Sequence, residues 1–444
     1  MRTMRGAPAL VIVGVLLAAA CATAPTPPAS NTLTPMNDIA PEYVKLVLAL
    51  GLHDADYVDA FYGPAEWKAD AEAVKKPLEV IASEADALIG RLQAIPEPAD
   101  GVLRLRRTYL TTQLRALSAR VAILHGKKLG FDEESRALYD AVAPVNTQEH
   151  FRAIRDELDR VLPGAGGTAS LADRYEAWRK DFVIPKEKVD AVFQTAIAEC
   201  RARTTPHMTL PPGERFTVEY VTGKTWSGYN WYQGGYKSLI QVNIDFPITI
   251  DRAIDLACHE GYPGHHVYNA LLEKSLVRDR GWVEYSVYPL FSPQSLIAEG
   301  SANFGIEMAF PGHERIEYEK VRLFPLAGLD PGRAEEFDQV RRIVERLAYA
   351  GNEAARRYLN GEIDAAAAAK WLTEYALYPR DRAAQRVRFI DQYRSYVINY
   401  NLGKDLVRQY VESHGGTPDD PKRRWEVFEK LLSSPMLPSQ LSER

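Results

Sequence analysis

The chain has 444 residues, of which 46% are hydrophobic, 25% charged and 10% aromatic, a composition that excludes disordered, collagen-like and multi-spanning membrane proteins. Lys plus Arg total 54 against 59 Asp plus Glu, a formal charge of −5, which argues against a nucleic-acid partner. Single cores rarely grow past roughly 250 to 300 residues, so a two-lobed body is expected.

The first element is a leader. Arg2 and Arg5 precede an apolar run from Ala7 to Ala20, too short to span a bilayer but right for the h-region of a secretory signal. The run ends Leu16-Leu17-Ala18-Ala19-Ala20-Cys21, which resembles a bacterial lipoprotein signal whose cysteine is lipidated and becomes the new N-terminus. Residues 1–21 are therefore expected to be a lipoprotein signal peptide with Cys21 as the lipidation site. That places the body in the cell envelope, anchored outside the cytoplasm on the periplasmic face of a bacterial membrane. A plain signal peptide cut at an Ala-x-Ala site is the other reading of these residues. Residues 22–40 follow as a flexible tether, rich at first in Ala, Thr, Pro and Ser.

Residues 41–206 read as a helical N-terminal lobe. Apolar residues recur at three and four in Leu78 to Leu92, Leu103 to Leu124, Phe151 to Leu162 and Val189 to Cys200. The Gly-rich stretch Pro163 to Gly167 lacks the Gly-Lys-Ser/Thr ending of a phosphate loop and reads as a linker. Residues 207–444 form the second, catalytic lobe. It begins with a small sheet at about residues 215–246, where Phe216 to Val221 and Ser238 to Asp245 are β-branched and partly alternating. Helices resume at Asp251, with further candidates at Ser295 to Phe310, Gly332 to Leu359, Asp364 to Leu377, Asp381 to Tyr400 and Trp425 to Leu432. The expected fold class is mostly α, two helical lobes with a small β-sheet insert.

Three of the nine histidines lie in His259-Glu260-Gly261-Tyr262-Pro263-Gly264-His265-His266. Imidazoles that hold a metal beside a carboxylate that takes a proton from water are the material of a zinc hydrolase. In His-Glu-x-x-His both histidines share a helix face, because four residues advance about 400°. Here the fourth residue after His259 is Pro263. Proline pushes Tyr262 out of the helical region and Gly264 can take positive φ, so the helix from Asp251 is expected to break and restart near His265. Periodicity does not rank His265 against His266, and helix-end capping or core packing is the other reading of the cluster. Cys258 beside His259 reads as a buried structural thiol, since adjacent helical side chains point about 100° apart. Cys200 and Cys258 give no spacing from which to infer a bridge.

The segment His259 to His266 resembles the signature of the bacterial proteins grouped as domain of unknown function 885, which are similar to gluzincin-type zinc metallopeptidases. Three stretches agree in order: Tyr229-Asn-Trp-Tyr-Gln-Gly234 leading to Ser238 and Asn243-Ile-Asp245, then Ser292 to Gly300, then Arg394 to Gly403. The resemblance implies one Zn2+ per chain held by His259, His265 and Glu299, with Glu260 as general base and acid. It leaves His266 as a fallback ligand or supporting residue. Asn303 stands where related sequences tend to carry the Asp that orients a ligand imidazole, and Asp255, one turn before His259, is a substitute for it.

Tyr393, Tyr396 and Tyr400 are spaced to share one helix face. Tyr400 first and Tyr396 second are candidates to donate to the oxyanion of a hydrolysed carbonyl, with an aromatic packing stripe as the alternative. Ser238, Asn243 and Arg394 are the expected substrate contacts. The strand Ser238 to Asp245 is either an exposed edge for the peptide or simple sheet structure. The expected function is an exported zinc metallopeptidase acting on short peptides and held to the membrane by its N-terminal lipid. The alternatives are a non-catalytic binding or scaffold lipoprotein of the cell envelope, and a zinc amidase acting on cell-wall peptides.

Overall fold

The computed structural model describes residues 33–164 and 167–442, so the expected signal peptide, its Cys21 and residues 22–32 of the tether lie outside it. The remainder of that tether, residues 33–40, is corrected: it opens helix α1, Leu33–Gly51. Met36, Ile39, Ala40, Tyr43 and Val44 recur at helical spacing and all are buried, so the segment carries a core-facing stripe that a solvated tether would not.

Strand β1, Val58–Phe61, follows, then α2 Ala65–Val74, α3 Leu78–Ala94, α4 Gly101–Leu124, α5 Phe131–Tyr139, α6 Gln148–Val161, α7 Leu171–Arg179 and α8 Val189–Thr204. Next come β2 Arg215–Val221, β3 Gly228–Gly234 and β4 Lys237–Asn243, then α9 Asp251–Leu256, α10 His265–Leu272, β5 Val287–Pro289 and α11 Pro293–Ala309. The remainder is α12 Glu314–Tyr318, α13 Phe324–Ala327, α14 Ala334–Glu345, α15 Ala350–Leu359, α16 Ala365–Tyr375, α17 Arg380–Tyr393, α18 Ile398–Ser413, α19 Pro421–Leu432 and α20 Pro438–Leu441. Among the described residues the chain is mostly α-helical, as its periodicity predicts, with two small sheets where one was expected. No helix among the described residues is long and apolar enough to cross a membrane.

Two expected long helices are each divided. Gly332 to Leu359 becomes α14 and α15, separated by residues 346–349. Asp381 to Tyr400 ends at Tyr393, because Arg394 takes φ 52° and ψ −124° before a 3₁₀ turn, Arg394–Val397, leads into α18. Buried Glu134 of α5 fixes that reversal. It accepts from Arg394 Nε at 2.6 Å, Ser395 Oγ at 2.7 Å and Ser395 N at 3.1 Å, which offsets the strain of a left-handed non-glycine residue.

β4 lies at the centre of its sheet, parallel to β2 and antiparallel to β3. Both of its edges are paired, which corrects the expectation of an exposed edge at Ser238 to Asp245; the edges of this sheet are β2 and β3. The second sheet pairs β1 with β5, whose partner residues include Ala60 and Tyr288. One continuous apolar core runs from Met36 to Leu441, and many ties cross the expected 206/207 boundary. Among them are the β1–β5 pairing, the Cys200–Cys258 disulfide, the fully buried Arg106–Glu284 ion pair at 2.6 Å and the Glu134–Arg394 pair. Cys258 is thus half of a bridge from α8 to the histidine segment, which corrects its reading as a thiol.

Candidate metal centre

The helix that begins at Asp251 widens into a π-helical turn, Ala257–Gly261, and stops. Tyr262 is extended at φ −116°, ψ 118°, as expected before a proline, and α10 restarts at His265. Gly264 serves by its size: its φ is −77°, not positive. A Cβ there would sit 1.9 Å from the His259 carbonyl oxygen, so only glycine lets the restarted helix fold back against the turn that carries His259.

The fold-back brings the two imidazoles together, with Nε2 atoms 3.1 Å apart. Helix α11 supplies Glu299, whose Oε2 lies 3.3 Å from His259 Nε2 and 3.7 Å from His265 Nε2. Zinc bonds of about 2.0–2.1 Å at tetrahedral angles separate ligand atoms by roughly 3.3 Å, so the three atoms fit one ion. Glu299 Oε2 is buried and has no hydrogen-bond partner among the described residues, an orphaned acceptor of the kind a cation satisfies. Burial pushes the Glu299 carboxyl up, but contact with His259 and His265 outweighs it and holds the group well below the usual carboxylate range.

Supporting contacts fix two of the three ligands, His259 and Glu299. His259 Nδ1 meets Asn303 Oδ1 at 3.0 Å; accepted by an amide oxygen, Nδ1 carries the proton and Nε2 is free to ligate. Asn303 Nδ2 in turn donates to the Tyr400 carbonyl at 3.2 Å. Asp255 does not substitute for Asn303. It pairs with Arg252 at 3.1 Å and Arg315 at 2.9 Å, which overcome its burial and hold its carboxyl near 2. Tyr396 donates to Glu299 Oε1 at 2.7 Å. That contact depends on a close helix crossing, for a Cβ on Gly300 of α11 would stand 2.3 Å from the Gly403 carbonyl carbon of α18.

Glu260 is buried on the wall of a cleft of about 1150 Å³ that also exposes His259, His265, Glu299 and Tyr400. Burial pushes its carboxyl up to about 7, helped by Glu299 and opposed by His265. Gly228 of β3 leaves room for it, since a Cβ there would lie 2.8 Å from Glu260 Oε1. The Tyr400 hydroxyl makes no hydrogen bond among the described residues, whereas Tyr396 is committed to Glu299. Burial pushes both phenols well above their usual range, so both keep their protons. Because the chain reverses at Arg394, Tyr393, Tyr396 and Tyr400 do not form a stripe on one helix.

His266 is turned away from the cleft, about 100° around α10 from His265. Its Nδ1 meets Ser238 Oγ at 2.9 Å and its Nε2 meets Glu214 Oε2 at 2.9 Å. Glu214 also accepts from Tyr262 at 2.6 Å and Arg201 at 2.7 Å. His266 is therefore a filled structural residue and not the second ligand atom of the cluster. The three expected substrate contacts are likewise elsewhere. Ser238 belongs to this closed network, Asn243 Nδ2 holds the carbonyls of Lys224 and Trp226, and Arg394 is paired with Glu134; none of the three lines the cleft.

Sequence reasoning missed Asp59. β1 delivers it to the cleft wall, where the Tyr229 hydroxyl donates to it. Burial pushes its carboxyl up to about 6, opposed first by Tyr229 and then by His265. No motif marks it, because only the long-range β1–β5 pairing brings it near the histidines.

No protein-family model matches the chain, and no curated protein matches it in sequence. Among solved structures it is similar in fold to a protein designated a lipoprotein from Colwellia psychrerythraea, with 16% identity over 84% of this chain and 70% of that one and a TM-score of 0.50. Weaker likenesses are to a protein named BsuCP, at 10% identity over 91% of each chain and a TM-score of 0.48, and to Trypanosoma cruzi metallocarboxypeptidase 1, at 13% identity over 90% and 91% and a TM-score of 0.47.

Proposed function

We propose that the chain is an exported, lipid-anchored zinc peptidase of the domain-of-unknown-function 885 kind, acting on short peptides. The observation that carries this reading is the convergence of His259 Nε2, His265 Nε2 and the unpartnered Glu299 Oε2 beside Glu260 on an open cleft. The donor set of two imidazoles and a carboxylate matches catalytic zinc sites, which keep one position open. When bound, zinc supplies Lewis acidity to a water and to a substrate carbonyl. The Cys200–Cys258 disulfide supports an oxidising compartment, in line with the leader.

In this mechanism Glu260 accepts a proton from the attacking water and delivers it to the leaving amine nitrogen. The Tyr400 hydroxyl, protonated and free of other partners, donates to the carbonyl oxygen as negative charge develops on it. Tyr396 and Asn303 hold Glu299 and His259 in place. Asp59 and Tyr229 close the wall next to His265. Replacing Glu260→Gln keeps the three ligand atoms and removes the proton carrier. The expected result is zinc retention with loss of turnover on quenched peptides; undiminished turnover in that variant contradicts the mechanism. Cell-wall fragments in the same panel separate a peptidase from an amidase.

A further inference from the structure

Resting on the peptidase reading of the cleft, one part of its wall points to what the substrate carries. Arg382 and Arg386 lie four residues apart on α17 and both line the cleft. Neither forms an ion pair among the described residues. Arg382 sits over Phe246, its guanidinium carbon 3.5 Å from the ring centroid, and is braced by Gln385 Oε1 at 3.1 Å. Gln385 also holds the carbonyls of Lys224 and Thr225, so this wall is built from α17, the 224–225 loop and the 246 loop together. Arg386 packs against Phe389 and lies 5.8 Å from the ring of Tyr400, which puts it beside the metal centre.

The same space is also lined by Arg179 and Arg252. Burial and these two cations lower Arg382 from the usual arginine range, which is the condition of a cation lacking its counter-charge. Three of the carboxylates nearby are turned to other groups: Asp255 is shared by Arg252 and Arg315, Glu176 lies 3.9 Å from Arg179, and Asp381 accepts from the Arg382 backbone N–H. Asp251, also on the cleft, keeps a buried Oδ1 without a hydrogen-bond partner among the described residues and makes no ion pair with Arg382 or Arg386. Guanidinium groups stacked on an aromatic ring with free N–H edges are preorganised to receive a carboxylate in bidentate fashion.

We propose that Arg382 and Arg386 form an anion-receiving wall that binds a carboxylate of the peptide substrate. Two sources supply that group, the C-terminal carboxylate and an acidic side chain, and both present the same planar anion.

The test is calorimetric binding to the Glu260→Gln chain, which separates recognition from turnover. Three N-acetylated probes are compared: tetra-alanine with a free C-terminus, its C-terminal amide, and the amide of Ala-Ala-Glu-Ala. At least one acidic probe is expected to bind about 10- to 100-fold more tightly than the neutral amide, and which one identifies the source. Adding Arg382→Gln and Arg386→Gln is expected to erase that preference while leaving the neutral amide unchanged. A second pair, Arg382→Lys and Arg386→Lys, retains charge and recovers part of it, which guards against simple misfolding. Equal binding of all three probes, no binding of any, or a preference that survives the Gln pair overturns the proposal. Turnover of the neutral amide by the unsubstituted chain, measured alongside, upholds the peptidase reading even where the anion wall fails.

Discussion

His265 and His266 are neighbours on α10 with the same side chain, and they end in opposite environments. His266 is fully buried with both ring nitrogens matched, to Ser238 and Glu214. His265 meets His259 and a carboxylate oxygen that has no hydrogen-bond partner among the described residues. Buried polar groups are normally satisfied, so a satisfied cluster is architecture and an unsatisfied one marks a place for something the chain does not itself supply. One residue of register on a helix, about 100°, decides which histidine does which.

The strongest way to sharpen this contrast is to remove the filled histidine. His266→Ala takes one hydrogen bond from Glu214 and one from Ser238 and opens a cavity, so it is expected to cost about 3 kcal/mol of stability, read by denaturant unfolding, while metal content stays intact. If stability is unchanged and metal is lost instead, the two histidines have been assigned the wrong way round. A smaller effect separates the tyrosines. Tyr400→Phe is expected to lower kcat on a quenched peptide by about 100-fold, as loss of an oxyanion donor does, with little change in KM. Tyr396→Phe acts instead through Glu299 and is expected to weaken zinc retention in a chelator titration by about tenfold. Equal effects of the two variants on kcat and on zinc contradict the division of roles.

The smallest expected effect is on pH dependence. Burial raises the Glu214 carboxyl, but hydrogen bonds from His266, Tyr262 and Arg201 outweigh it and leave the folded-state pKa lowered. A lowered carboxylate contributes stability above its unfolded value of about 4.3 and loses it as pH falls through the folded value. Glu214→Gln is therefore expected to flatten the acid limb of the stability curve below about pH 4.3, with its neutral-pH stability lowered. An acid limb as steep as that of the unsubstituted chain contradicts the assignment.

Local chemistry made part of this legible in the residues alone. The stripes in Leu78 to Leu92 and Val189 to Cys200 became α3 and α8, and Pro263 broke the helix where a proline must. The cluster residues His259, His265 and Glu299, which the signature resemblance picks out, are brought together by the fold. What sequence did not show depends on contacts between distant segments. β5 has three residues and no pattern of its own, and it pairs with β1 across more than 200 residues, so neither strand nor Asp59 had a local signal. Cys200 and Cys258 are 58 residues apart and meet only because α8 packs on the π-helical turn. The reversal at Arg394 needs Glu134, which lies 260 residues away. The substrate contacts placed at Ser238, Asn243 and Arg394 fell to structural roles because a polar residue near a site in sequence says nothing about which face its neighbours leave open.

The most direct test of the central claim is zinc per chain, by plasma mass spectrometry, in the chain expressed without residues 1–21 and in its His259→Ala and His266→Ala variants. About one zinc in the first, none after His259→Ala and about one after His266→Ala is the predicted pattern. No zinc in the unsubstituted chain after reconstitution, or loss of zinc with His266→Ala rather than His259→Ala, contradicts the site.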